Sequence, residues 1–289
     1  MASTFSDRDG WIWLDGEMVE WRDARCHVLN HGLHYASGIF EGIRAYGGKQ
    51  FRLKAHIERL FESGRLLGYD IPFSLDVLMD ACNDVVSRNG LSDAYVRPFA
   101  WRGSEQMSVS APSSRIHVGI AAWTMPAYFQ KSDGGGGIRL AFSRWRRQAP
   151  TMAPLQAKAA GLYMAGTLAK HEAVAEGFDD ALMLDWEGNV AEATAANIFA
   201  YVDETLLTPI ADNFLNGITR QTVVELARGR GIDVREVRLD LPTLLKASEV
   251  FVTGTAAELA PVSRIGTTEF SVGPVTLGLL DAYQALVRA

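Results

Sequence analysis

The chain has 289 residues, 48% of them apolar and 21% charged, an ordinary globular composition with enough length for two modest domains around a sizeable core. Its net charge of −6 argues against non-specific nucleic-acid binding, which requires a basic surface. No stretch is apolar enough to span a bilayer as a helix, and Met1–Asp9 lacks a basic run followed by an apolar one, so no secretion signal is expected.

Trp11–Leu14 and Met18–Trp21 flank the turn dipeptide Asp15-Gly16 and predict a hairpin. A strand is predicted over Ile39–Tyr46, with Phe40, Gly42, Arg44 and Tyr46 on one face by period-two alternation. Helices follow over His56–Leu67, with Ile57, Leu60, Phe61 and Leu67 as the apolar stripe, and over Leu75–Val86. Ala94–Trp101 and Arg115–Trp123 read as strands, and Pro98 predicts an edge or a strand end. Residues 126–137 (PAYFQKSDGGGG) end in four glycines, which bury nothing and lose much backbone entropy on ordering, so an interdomain linker is expected. A phosphate loop would need a Lys-Ser/Thr and a helix after the glycines, and Ile138-Arg139-Leu140 begins a strand instead. Strands are then expected over Ile138–Ser143, Ala181–Asp185, Val190–Tyr201, Thr205–Thr208 and Val250–Thr253. Helices are expected over Leu162–Glu176, Ile218–Arg228 and Val275–Val287. Mixed sheets with helices packed on them point to an α/β or α+β class.

Several residues could carry chemistry, and each has a plainer reading. Lys158 sits among small neighbours in Gln156–Gly161; it is either a surface lysine or an amine that desolvation keeps reactive enough to form a Schiff base. Glu192, between Ala191 and Ala193, is either an exposed polar position on a strand or a buried carboxylate that keeps a pyridine nitrogen protonated. Asn216–Thr219 opens a helix and Thr253–Ala256 follows a strand. Both are either ordinary caps and turns or sources of backbone N–H groups for an anion. Arg97 shares a strand face with Tyr95 and Phe99, where a charge is costly unless an acid or a ligand carboxylate meets it. His56 and Arg59 share one helix face, which is either solvated or a phosphate ligand's position. The two cysteines, Cys26 and Cys82, stand outside any CxxC and are expected as free thiols in a reducing cytoplasm. None of the six histidines has metal-site spacing, so no metal is expected.

Taken together, the motifs are those of a known family. His34-Tyr35 with Phe40–Arg44, Ala94–Pro98, Lys158–Tyr163, Ala191-Glu192 with Asn197–Phe199, Leu215–Arg220 and Thr253–Glu258 occur in the order and spacing of one group. From about Trp11 to Pro261 the chain resembles the branched-chain amino-acid aminotransferases of the fold-type-IV pyridoxal-phosphate enzymes. The resemblance implies an α+β, two-domain structure: a small α/β N-terminal domain over residues 1–125, the linker over 126–137, and a larger, mixed-sheet, barrel-like cofactor-binding domain over 138–289.

It also implies roles. Lys158 is expected to be the Schiff-base lysine and proton shuttle, Glu192 the partner of the pyridine nitrogen, and Tyr163 the partner of the cofactor's phenolic oxygen. Arg59, Ile218, Thr219 and Thr255 are expected at the phosphate of pyridoxal 5′-phosphate. Thr255 and Ala256 are expected at the substrate α-carboxylate, with Phe40, Gly42, Arg44, Tyr95 and Arg97 lining the pocket and Arg97 meeting a second carboxylate. Tyr35 is expected to come from a second copy, which implies at least a homodimer. The implied reaction is ping-pong transamination between L-leucine, L-isoleucine or L-valine and 2-oxoglutarate. D-Amino-acid aminotransferases, (R)-amine transaminases and aminodeoxychorismate lyases share the scaffold, and a non-enzymatic pyridoxal-phosphate carrier is the alternative outside catalysis. Ala193-Thr194-Ala195-Ala196 departs from the family's Gly-Ser-Gly-Glu-like run, and Asn216 stands where proline is common.

Overall fold

The computed structural model describes residues 4–125 and 136–289; residues 126–135, most of the expected linker, lie outside the described residues. No helix among the described residues is long and apolar enough to cross a membrane. The chain divides into two compact units: the described residues of Met1–Pro126 with Ala157–Gly161, and those of Ala127–Gln156 with Leu162–Ala289. The stretch that carries Lys158 therefore packs with the first unit, although it lies well beyond the expected linker.

The first unit contains β1 (Trp11–Leu14), β2 (Glu17–Glu20), α1 (His31–Tyr35), β3 (Ile39–Phe40), β4 (Ile43–Tyr46), β5 (Lys49–Gln50), α2 (Leu53–Leu66), α3 (Leu75–Arg88), β6 (Ala94–Arg102) and β7 (Ile116–Trp123). Its sheet runs β2-β1-β7-β6-β4-β5, with β3 also paired to β6. Asp15 and Gly16 both have positive φ, as a tight hairpin turn requires. Ser74 caps α3 by accepting from the Val77 N–H, and Leu78, Cys82, Val85 and Val86 bury one helical stripe.

Three details differ from the sequence reading. The strand expected over Ile39–Tyr46 is broken at Glu41-Gly42 into β3 and β4. Pro98, expected at an edge or end, lies inside the nine-residue central strand β6. Its carbonyl accepts from the Glu41 N–H at 2.7 Å, so the side of Pro98 that lacks an N–H faces the interruption between β3 and β4. On α2 the buried face includes His56 and Ser63, while Phe61 and Leu67 are only partly buried. Polar residues replace the outer part of the expected apolar stripe because each has a hydrogen-bond partner on that side, Glu41 for His56 and the Lys158 N–H for Ser63.

The second unit contains β8 (Ile138–Phe142), α4 (Met164–Ala175), β9 (Asp180–Leu184), β10 (Val190–Ala193), β11 (Asn197–Val202), β12 (Thr205–Pro209), α5 (Ile218–Gly229), β13 (Asp233–Val237), α6 (Leu241–Leu244), β14 (Glu249–Gly254), β15 (Glu258–Ile265), β16 (Thr268–Glu269) and α7 (Pro274–Val287). The pairings β10-β9-β8-β15-β14-β11 return from β11 to β10, which closes a six-stranded barrel. Closure leaves those strands without an open edge. Strands β12 and β13 extend from β11, and β16 pairs with β15. Leu140, Leu182, Ile198, Val250, Val252, Val262 and Ile265 fill the core. The expected single strand over Val190–Tyr201 is a tight hairpin, with Glu192 opposite Asn197. Neither β13 nor β15 is evident in the sequence. Strand β13 exposes Asp233, Arg235 and Glu236, and β15 contains Pro261, which lies beyond the span of its pairing with β8.

Candidate active site

In the first unit, strand register builds one functional face. Arg44 lies opposite Tyr95 and Phe40 opposite Phe99, so alternation places Phe40, Gly42, Arg44, Tyr95, Arg97 and Phe99 on the same side of the sheet. Lys158 joins them. Its segment pairs with β3 through an Ile39–Ala159 bridge, the Phe40 N–H donates to the Lys158 carbonyl at 3.0 Å, and the Ala160 N–H donates to Gly38 at 2.8 Å. Ser63 on α2 accepts from the Lys158 N–H at 2.9 Å. The main chain of Lys158 is therefore fixed on two sides while its ammonium stands 5.0 Å from the Phe40 ring centre.

Arg97 stands on the same ring, its guanidinium carbon 4.7 Å from the Phe40 centre, and donates to the Tyr95 hydroxyl at 3.2 Å. Its Nε is buried without a hydrogen-bond partner among the described residues, and so is that of Arg44. A Cβ built on Gly42 would overlap the Tyr95 hydroxyl, so glycine is required for Tyr95 to occupy this position. Tyr35, at the end of α1, is 41% exposed, and the neighbouring Val28, Leu29 and Leu33 are exposed too.

Behind this face lies a buried charge cluster, of which sequence reasoning marked only Arg59 as a candidate ligand. Glu41 is fully buried and accepts from Arg59 Nε at 2.6 Å, Arg59 Nη2 at 2.9 Å and His56 Nδ1 at 2.7 Å. Burial alone would raise the Glu41 pKa, but the Arg59 charge and the hydrogen bonds outweigh it and hold the group well below the carboxylate range. Burial depresses the His56 pKa against the pull of Glu41, so the ring is a neutral donor. Arg59 is not on a solvated helix face: its side chain is 15% exposed and its fork grips a buried acid. The signal in the sequence was the acid in Phe40-Glu41-Gly42 together with His56 and Arg59 three apart on one helix.

The second unit holds the remaining candidates. Glu192, 7% exposed on β10, is the buried carboxylate rather than the exposed one. Asn197 donates to its Oε2 at 3.2 Å, and Arg147 Nε stands 3.0 Å from its Oε1. Tyr163 immediately precedes α4, where its carbonyl accepts from the Thr167 hydroxyl at 3.0 Å. Helix α5 begins after Gly217 without a side-chain cap, and Ile218 and Thr219, its first residues, are buried. Arg220 holds this entry in place by donating to Asn216 Oδ1 at 3.0 Å and Glu236 Oε2 at 2.7 Å. Thr255 and Ala256 lie in the three-residue turn between β14 and β15. Arg147 stands in none of the sequence motifs, and Asn197 and Arg220 stand in two of them without an assigned role; all three acquire partners only by folding.

No group of three or more His, Cys, Asp or Glu residues among the described residues could hold a metal. Each unit offers donors of its own: the first a lysine amine fixed by its backbone and an arginine held by a buried acid, the second a buried carboxylate and an uncapped helix N-terminus. An amine, a buried acid and anion-binding groups fit an aldehyde that carries a phosphate and a ring nitrogen.

A mixed-sheet unit and a closed barrel are joined in one chain, and the sequence pattern of the amino-transferase class IV family covers residues 38–265 of it. The chain belongs to that family, whose cofactor is pyridoxal 5′-phosphate, and within it to the branched-chain amino-acid aminotransferases. It is 45% identical to a probable branched-chain-amino-acid aminotransferase of Rickettsia felis, over 88% of this chain and 86% of that one. It is 42% identical to the Pseudomonas aeruginosa branched-chain-amino-acid aminotransferase, over 98% and 95% of the two chains. Among solved structures, the Escherichia coli branched-chain aminotransferase superposes with a TM-score of 0.93 at 38% identity, covering 97% of this chain and 95% of the other. The Thermobaculum terrenum enzyme, solved in its pyridoxal-phosphate form, gives 0.88 at 30% identity with the same coverages.

Proposed function

We propose that the chain transfers the amino group of L-leucine, L-isoleucine or L-valine to 2-oxoglutarate by a ping-pong cycle, with Lys158 as the catalytic base. The carrying observation is the Lys158–Phe40–Arg97 arrangement: a reactive amine and a substrate cation flank one aromatic ring on a single strand face. When bound, pyridoxal 5′-phosphate supplies an electron-withdrawing ring that stabilises negative charge at the substrate Cα.

The chain's residues do the rest. The Lys158 amine anchors the group and moves the proton at Cα. Glu192 would hold the proton on the ring nitrogen, and Tyr163 would donate to the phenolic oxygen. Arg59, the N–H groups of Ile218 and Thr219, and Thr255 hold the phosphate. Main-chain groups at Thr255 and Ala256 orient the α-carboxylate. Phe40, Gly42, Arg44 and Tyr95 shape the pocket, and Arg97 takes the second carboxylate of 2-oxoglutarate or glutamate. A hydrophobic pocket discriminates by only about 1–3 kcal/mol per methylene, so the three branched substrates overlap.

The exposed apolar run around Tyr35 supports a homodimer in which a second copy completes each pocket. The free thiols of Cys26 and Cys82 support a cytoplasmic site of action.

The test is a spectrum and an assay. L-Leucine should bleach the visible band of the yellow enzyme, and with 2-oxoglutarate it should yield 4-methyl-2-oxopentanoate and glutamate. Lys158→Ala should abolish both. Faster bleaching by D-leucine, or release of 4-aminobenzoate from aminodeoxychorismate without transamination, would overturn the reading.

A further inference from the structure

We infer that Arg147 is a positioning residue for Glu192: it supplies the fixed charge that keeps this carboxylate ionised and locks the hairpin turn that carries it. The inference rests on the reading that Glu192 meets the ring nitrogen.

Three observations lead there. The first is charge. Glu192 and Arg147 are about equally buried, at 10% and 11% side-chain exposure, with Arg147 Nε 3.0 Å from Glu192 Oε1. A carboxylate removed from water is stable as an anion only beside a compensating charge, and a guanidinium keeps its charge at any working pH. Nε is close to Oε1 without the alignment of a hydrogen bond, so the attraction is ionic rather than directional. Such a contact balances the carboxylate's charge without fixing its lone pairs. Asn197, on the facing strand, supplies the directional bond, from Nδ2 to Oε2 at 3.2 Å.

The second is anchoring. The Arg147 N–H donates to the Leu184 carbonyl at 2.9 Å, which ties its main chain to the end of β9. Its Nη2 donates to the carbonyls of Thr194 at 2.8 Å and Ala193 at 3.2 Å. One side chain thus holds the acid and the two residues that follow it.

The third is the sequence of that turn. Ala193-Thr194-Ala195-Ala196 is built of small residues and carries no acid. Here Thr194 donates to Asp180 Oδ1 at 2.6 Å, and the Arg147 fork closes on the carbonyls. A Cβ on Gly166 would press on the Thr194 carbonyl from α4. The turn is therefore clamped by side chains from outside it.

The experiment is a double-mutant cycle read on cofactor binding, using the full-length protein in cofactor-free and reloaded form. The variants are R147M, R147K, E192Q and R147M/E192Q. The readouts are the pyridoxal-phosphate dissociation constant from fluorescence quenching, the visible spectrum of the loaded protein, and the kcat and KM of leucine turnover. R147M should weaken cofactor binding on the order of tenfold or more, shift the visible band and lower kcat with little change in KM. R147K, which keeps the charge but not the fork, should recover part of each. In the E192Q background R147M should cost clearly less than in the parent, because the charge it serves is gone and only its hold on the turn is lost. The double variant leaves no bare buried ion, so it keeps the test open if R147M alone folds poorly.

If R147M weakens binding equally in both backgrounds, or lowers only the melting temperature of the cofactor-free protein, Arg147 is merely structural and the inference falls. If E192Q changes binding and spectrum while R147M does not, the inference falls and the Glu192 reading stands. If E192Q itself changes neither, both fall together.

Discussion

Glu41→Gln isolates the buried cluster behind the Lys158 face. Glutamine matches the shape of glutamate but removes the charge, and it turns one acceptor into a donor. In the native protein the fully buried carboxylate accepts three side-chain hydrogen bonds at 2.6, 2.7 and 2.9 Å. After substitution at least one of these becomes donor against donor, and Arg59 loses its counter-ion. Breaking a buried pair by removing one partner costs about 3–5 kcal/mol. Arg59 keeps 15% exposure, and water there places the expected loss at the lower end, about 3 kcal/mol. At roughly 2 °C per kcal/mol for a chain of this size, the cofactor-free protein should melt about 6 °C lower by calorimetry. Because Arg59 is proposed to meet the cofactor phosphate, loading should offset the loss of the Glu41 charge beside its guanidinium, so the gap between loaded and cofactor-free melting temperatures should widen in the variant. The double variant E41Q/R59M removes both charges and should be more stable than the sum of the single losses predicts. A melting temperature within about 1 °C of the parent, or strict additivity, would refute the account of the cluster.

Two further outcomes follow from the same unit. Gly42→Ala should displace Tyr95, costing about 1–3 kcal/mol in chemical denaturation as overpacking does, and should raise KM for amino acids while cofactor affinity is retained; an unchanged KM would separate Gly42 from the pocket. Stability should fall as pH drops. Folded His56 resists the proton that the unfolded chain takes up below its ordinary 6.5, and folded Glu41 stays ionised where the unfolded chain protonates below its ordinary 4.5, so both contributions are present at neutral pH and lost on acidification. A stability curve flat from pH 7 to about 4, or a His56→Asn variant with the parent's slope between pH 7 and 5.5, would contradict this.

Much of the candidate site was legible in the chain as a set of shared faces, because those residues sit in local patterns. Alternation put Phe40, Gly42 and Arg44 on one face, and Tyr95, Arg97 and Phe99 on another strand's matching face; pairing of β3 and β4 with β6 brought the two together without altering either. Small residues around Lys158 and the helix opening at Gly217 are likewise local facts, set by how much room the backbone needs. The tertiary structure decided the rest. A sequence break at the glycine run says nothing of Ala157–Gly161 returning to pair beside β3, because a strand's partner is chosen by hydrogen bonds across a long sequence separation. Pro98 looked like an end until the interruption at Glu41-Gly42 supplied a place where no N–H was needed. In sequence Glu41 had no role and Glu192 had two, an exposed position or a buried carboxylate, since an isolated acid is ordinary on a surface and costly inside. Folding placed Arg59 and His56 against the first and Arg147 and Asn197 against the second. What burial forbids to a lone charge, it permits to a partnered one, and only the folded chain determines the partner.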